Sequence, residues 1–121
     1  MSDIYSDLIL ENYKYPKNFG EMDDATSSST VNNISCGDEL TVYLKIENDR
    51  VKEILYTGSG CAICLGTMSI FSEYIKDRHI EELKQLDNNF ILNLINMDED
   101  SGRIKCATLS LDTVKKCINH E

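Results

Sequence analysis

The chain has 121 residues, enough for one hydrophobic core and too few for two, so a single domain over 1–121 is expected. With 41% hydrophobic and 27% charged residues and no apolar run of spanning length, it has an ordinary globular composition and no segment expected to cross a membrane. A formal charge of -9 opposes a phosphate backbone, so nucleic acid is not an expected partner and a basic protein surface is.

The opening Met1-Ser2-Asp3-Ile4 has neither the basic start and apolar stretch of a secretory signal nor the Arg-rich look of a transit peptide, and the chain as given is expected in the cytoplasm. Ile4, Tyr5, Leu8, Ile9 and Tyr13 at helical spacing predict a first amphipathic helix with Ser2 as its cap, stopped by Tyr15-Pro16-Lys17-Asn18-Phe19-Gly20. From Glu21 to Ser35 the chain is polar and serine-rich; it reads as a mobile loop, with a strand expected only around Val31 to Ile34. Leu40, Val42, Leu44 and Ile46 then alternate with Thr41, Tyr43, Lys45 and Glu47, the period-2 pattern of a half-buried strand. Asn48-Asp49 turns the chain into a return strand from Val51 to Thr57, and Gly58-Ser59-Gly60 ends it just before Cys61.

Ile63, Thr67, Ile70 and Tyr74, widened by Met68, Phe71 and Ile75, predict a helix packed across the sheet. Two further helical stretches run through Ile80, Leu83 and Leu86 and through Phe90, Leu92, Leu94 and Ile95, and Asp98-Glu99-Asp100-Ser101-Gly102 is a surface loop. Leu109, Val114, Cys117 and Ile118 outline a last helix that frays at His120-Glu121. Strands precede helices without βαβ alternation, which predicts an α+β fold: a small antiparallel sheet covered by helices.

Five cysteines in a chain without an export signal are expected to serve as metal ligands, nucleophiles or small core residues. In Cys36-Gly37-Asp38 the outer residues point the same way along an extended backbone, so a thiolate and a carboxylate can face one site while Gly37 lets the chain bend around it. Cys61 opens a helix after a glycine-rich break, where a helix N-terminus favours the thiolate. Cys106 opens the last helix behind Arg103-Ile104-Lys105, so two cations and a helix terminus favour its ionised form. Each cysteine taken singly also fits a small buried residue at a turn or helix start; their joint occurrence favours a site. Three thiolates and a carboxylate suit zinc or iron, and the exchangeable carboxylate suits cargo better than a permanent structural metal. Lys105 and Arg103 offset part of the negative charge.

The segments Tyr15-Pro16-Lys17-Asn18-Phe19-Gly20, Cys36-Gly37-Asp38, Gly60-Cys61-Ala62-Ile63 and Arg103-Ile104-Lys105-Cys106-Ala107-Thr108-Leu109, in this order and spacing, resemble the IscU/SufU/NifU N-terminal scaffold family over nearly the whole chain. The resemblance implies a three-stranded antiparallel sheet with helices packed on it. It also implies a cysteine desulfurase as sulfur donor, apo iron–sulfur proteins as acceptors, and Cys36, Asp38, Cys61 and Cys106 as ligands. Cys36 and Cys106 are the candidate persulfide acceptors. The cargo implied is a transient iron–sulfur cluster of the [2Fe-2S] type, with zinc as the alternative or resting metal.

Two departures bear on the branch. Where IscU-type members carry a Leu-Pro-Pro-Val-Lys-His-Cys stretch read by a chaperone, this chain has Asp100-Ser101-Gly102-Arg103-Ile104-Lys105-Cys106, and Lys105 is similar to SufU-type zinc-binding sulfur acceptors. SufU-type chains, however, insert roughly two helical turns or more before the third cysteine, and here there is only the 98–102 loop. Cys64 forms a C-x-x-C with Cys61 and reads either as a small buried residue or as a fourth ligand or resolving thiol. Cys117 reads as core, and His79 and His120 as surface. The expectations are thus a cluster scaffold first, a zinc-dependent sulfur acceptor second, and a structural zinc module on Cys36, Cys61, Cys64 and Cys106 third; oligomeric state is left open.

Overall fold

Strict alternation along Leu40, Val42 and Leu44 buries these three side chains completely and builds the central strand, β2 (Asp38–Glu47). The structure, a computed structural model, describes residues 4–34 and 37–119, the side chains of residues 4–6 excepted. At the end of β2 the chain reverses through Asn48 and Asp49, whose φ values of 54° and 62° are both left-handed. That pair of angles matches the twist of a two-residue hairpin connection, and asparagine and aspartate tolerate it better than other non-glycine residues. The return strand β3 (Arg50–Ser59) pairs antiparallel with β2, placing Ile54 opposite Leu44 and Tyr56 opposite Val42.

A third strand, β1 (Ser27–Asn33), pairs antiparallel on the other side of β2, giving the order β1-β2-β3. It begins earlier than the sequence predicts, because much of what fixes it is polar. The Thr30 and Thr41 hydroxyls share a 2.7 Å hydrogen bond across the two strands, and the Ser27 hydroxyl donates to the Cys117 carbonyl at 2.6 Å. Likewise β3 runs on through Gly58 rather than stopping at it: a Cβ there would lie 2.5 Å from the Glu39 carbonyl oxygen, so glycine permits this closely paired continuation.

Five helices complete the described fold: α1 (Ile4–Lys14), α2 (Ala62–Ile75), α3 (Ile80–Lys84), α4 (Asn88–Leu94) and α5 (Ile104–Asn119). α2 lies against β3, α5 against β1 and β2, and the two helices against each other. Cys64, Met68, Phe71 and Ile75 from α2 meet Ala107, Val114, Cys117 and Ile118 from α5 in one core with the inward residues of the sheet. α1 packs on α2 at Gly66. His79 caps α3, its Nδ1 accepting the Glu81 N–H at 3.1 Å, and Asp87 caps α4 through the Phe90 N–H. The α+β sandwich with a three-stranded antiparallel sheet is therefore as expected. Ser2, Cys36 and His120 lie outside the described residues. Among the described residues no helix is long and apolar enough to cross a membrane.

Tyr56 is fully buried beneath the edge of Phe19, with ring centroids 5.3 Å apart, and its hydroxyl makes no hydrogen bond of good geometry to a described residue. Burial pushes its phenol up to about 12, the neighbouring Ser69 hydroxyl offsetting only part of this. In the unfolded chain the same phenol titrates near 10, so the unfolded state loses its proton first as pH rises. The contribution to stability is full below pH ~10 and is lost progressively towards pH ~12, a change of order 1 kcal/mol or more. Urea unfolding at pH 8 and pH 11 should show this loss, and Tyr56→Phe should reduce it while leaving stability at pH 8 unchanged or slightly higher.

Candidate metal and sulfur site

Three elements deliver the site. Asp38 is the first residue of β2, placed there by Gly37, whose φ of 75° lies in the left-handed region where glycine carries no steric penalty. Its side chain is buried, at 2% exposure. Cys61 is the N-cap of α2, with the extended backbone (φ -76°, ψ 166°) typical of that position. A cysteine does not bond its own helix start in this structure; instead the Cys61 N–H donates to Asp38 Oδ1 at 3.1 Å. Gly60 makes room for this, since a Cβ at that residue would lie 2.4 Å from the same oxygen. Cys106 comes from the first turn of α5, buried at 5% exposure.

The Cys61 Sγ is 3.7 Å from Asp38 Oδ2, and the ligand atoms of Asp38, Cys61 and Cys106 all lie within 4.8 Å of one another. Tetrahedral thiolate ligands around zinc stand about 3.8 Å apart, so small side-chain rotations bring these three groups onto one ion. Two soft sulfurs with one hard, exchangeable oxygen fit zinc or iron better than magnesium or calcium. The donor set thus fits a sulfur-bound metal or cluster, and Cys61 and Cys106 both stand at helix N-termini, those of α2 and α5, whose positive ends favour negative charge.

An open cleft of about 720 Å³ leads to Cys106 between Asn33 and residues 101–105. Arg103 and Lys105 line it, both exposed, and neither forms an ion pair with a described residue. The Ser101 hydroxyl accepts the Arg103 N–H at 3.1 Å and fixes the approach to α5.

Of the residues singled out from the sequence, Asp38, Cys61 and Cys106 are brought together, and Lys105 stands at the mouth of the cleft. Cys36 belongs to the part not described. Cys64 is fully buried in the core and is not one of the three converging groups, and Cys117 is core as expected. His79 serves α3. Two contributors escape sequence reasoning: Gly60, which reads only as a strand break, and Asn33, which pairs with Asp38 across β1 and β2 and lines the cleft. Ser101 has a visible signal, a cap-forming residue just ahead of a helix.

Such a sandwich, with a carboxylate at a strand start and two thiols at helix starts, defines a small thiol-and-carboxylate scaffold. Residues 4–120 match the model of the NifU-like N terminal domain family, and the chain belongs to that family. It is similar to the iron–sulfur cluster assembly scaffold protein IscU of Thermotoga maritima, 37% identical over 109 residues that cover 90% of this chain and 77% of the relative. The zinc-dependent sulfurtransferase SufU of Bacillus subtilis is 28% identical over 138 residues, covering 100% of this chain and 93% of the relative. In fold, the chain is similar to the N-terminal part of a nitrogen-fixing NifU-like protein from Brucella abortus, with a TM-score of 0.79 at 22% identity over 96% of this chain and 92% of that one.

Proposed function

We propose that this protein is a scaffold on which an iron–sulfur cluster is assembled on Cys36, Asp38, Cys61 and Cys106 and from which it passes to apo-proteins. The observation that carries the reading is the convergence of Asp38, Cys61 and Cys106 within 4.8 Å beside an open cleft. A cysteine desulfurase supplies sulfur as a persulfide. A scaffold thiolate, Cys106 or Cys36, attacks the outer sulfur, a new S–S bond forms, and the desulfurase cysteine leaves as its thiolate. Lys105 and Arg103 favour the attacking anion. Two electrons from a reductant then split the scaffold persulfide into thiolate and sulfide, and ferrous iron joins the sulfide on the converging ligands. Asp38 is the ligand that exchanges, which makes the product removable.

The test is anaerobic assembly with a cysteine desulfurase, cysteine, reductant and ferrous iron, followed by addition of an apo-ferredoxin. A coloured species that forms on the protein and moves to the ferredoxin supports the scaffold. The second reading, a zinc-dependent sulfur acceptor, is favoured by Lys105 in the place of the IscU-type histidine; it predicts retained zinc and raised desulfurase turnover with no cluster formed. Asp38→Ala separates holding from release. We expect cluster to form on this variant and to transfer about 10-fold more slowly, the size of effect that ligand-sphere changes commonly have. Transfer at the wild-type rate would remove Asp38 from the exchange step.

A further inference from the structure

We infer that the outer edge of β1 is the docking strand for the acceptor: an extended, cysteine-bearing segment of an apo-protein pairs with Thr30 and Asn32 and so lays its thiols beside the cleft. The inference rests on the scaffold reading above.

Among the described residues β1 is an edge strand, with β2 on one side only. In an antiparallel ladder the N–H and C=O of one residue point the same way, and successive residues alternate. Lys116 Nζ donates to the Thr30 carbonyl at 3.2 Å from the outer side, whereas the Asn33 carbonyl accepts the Gly37 N–H at 2.8 Å on the inner side. Thr30 and Asn32 therefore turn their main-chain donors and acceptors outward, and both residues are exposed. Folded proteins block such edges with proline, a bulge, or charged side chains along the strand. The sequence of β1, Ser-Ser-Ser-Thr-Val-Asn-Asn, contains neither proline nor charge, and its register with β2 has no bulge. Lys116, one flexible exposed side chain, is the cover that the described residues supply.

What lies along the edge says what it accepts. A groove of about 410 Å³ between the end of β1 and the start of α5 is lined by Asn32, Ile34, Lys105, Thr108 and Asp112. It adjoins the cysteine cleft: Asn33 and Lys105 line both. Lys105 and Asp112 line the groove, and Lys116, one helical turn beyond Asp112 on α5, reaches the Thr30 carbonyl beside it. Two cations suit a segment carrying thiolates more than they suit a neutral peptide. Ile34, 95% exposed, offers an apolar contact at the end nearest the site. Strand addition supplies affinity through main-chain bonds and leaves sequence nearly free, which suits a donor that must serve different recipients. With so few outward groups the pairing is short, as a transient transfer complex requires.

The test uses the whole protein and an apo-ferredoxin as probe. Asn32→Pro deletes an outward N–H and takes no bond from the β2 ladder, a substitution that edge strands tolerate. We expect cluster to form on this variant as on wild type and to reach apo-ferredoxin at least 5-fold more slowly. Amide hydrogen exchange on the metal-free wild-type protein reads the docking independently: adding apo-ferredoxin should protect Thr30 and Asn32. Normal transfer by a variant that loads cluster overturns the inference, as does unchanged exchange at both amides. It is also overturned if protection grows with the protein's own concentration, which marks a second copy on the edge, or appears only with the desulfurase. If wild type forms no transferable cluster, the scaffold reading fails, and the exchange experiment alone then decides whether this edge takes up a strand.

Discussion

Cys106→Ser is expected to leave the protein folded and to abolish transferable cluster. Serine is nearly isosteric with cysteine, so the first turn of α5 keeps its packing, but a serine hydroxyl stays protonated at neutral pH and offers a hard oxygen where the trio offers soft sulfur. Cluster retained after anaerobic assembly, measured as iron, sulfide and visible absorption per chain, should fall by more than about 10-fold, since removing a group that merely orients a ligand already costs that much. Cys61→Ser should behave alike, since its sulfur lies in the same 4.8 Å group, and so should Cys36→Ser as a member of the proposed ligand set. Cys117→Ser is the control: its sulfur lies 3.7 Å from the Val42 carbonyl inside the core, away from the converging groups, and loading should persist. Wild-type loading by Cys106→Ser would place the cluster elsewhere on the chain.

The second large effect is on stability, and its sign runs against helix propensity. Glycine within a helix is about 1 kcal/mol worse than alanine, so Gly66→Ala in the middle of α2 is stabilising on propensity alone. In this fold a Cβ at Gly66 would stand 2.5 Å from the carbonyl oxygen of Ile9, a backbone atom of α1 that no rotamer change can move aside. Separating α1 from α2 opens gaps around Ile9, which is buried at 2% exposure. Overpacking of this kind costs about 1–3 kcal/mol, so alanine is expected to destabilise by about 1 kcal/mol net and valine by about 3 kcal/mol. For a chain of this size the valine variant should melt roughly 10 °C lower. A gain in melting temperature for Gly66→Ala would mean that α1 yields without loss.

How far the sequence disclosed this molecule depends on the reach of each signal. The β2–β3 hairpin is legible because Leu40, Val42 and Leu44 alternate with polar residues and Asn48-Asp49 accepts left-handed angles; both signals are local. Cys61 and Cys106 are legible as helix openers for the same reason. β1 is legible only at its end, around Val31; its start is not, since Ser27 and Thr30 are held by hydroxyl bonds to α5 and β2, partners distant along the chain that hydrophobic pattern does not register. Gly60 misleads for a similar reason: beside Cys61 it reads as punctuation, and only the folded chain puts the Asp38 carboxylate where its side chain would have been. Cys64 shows the converse. Its spacing from Cys61 admits a ligand pair as well as a small buried residue, and the helix turns it into the core, as the latter reading has it.

The two oxygens of Asp38 have different employers. Oδ1 is tied to the Cys61 N–H, while Oδ2 faces the Cys61 sulfur. On the proposed scaffold, the carboxylate can therefore let go of its cargo with one oxygen and stay moored by the other. It need not swing into water, nor must the strand or helix shift to bring it back. On that reading the site is a latch whose pin stays in its housing, and each departure leaves the receptacle set for the next load.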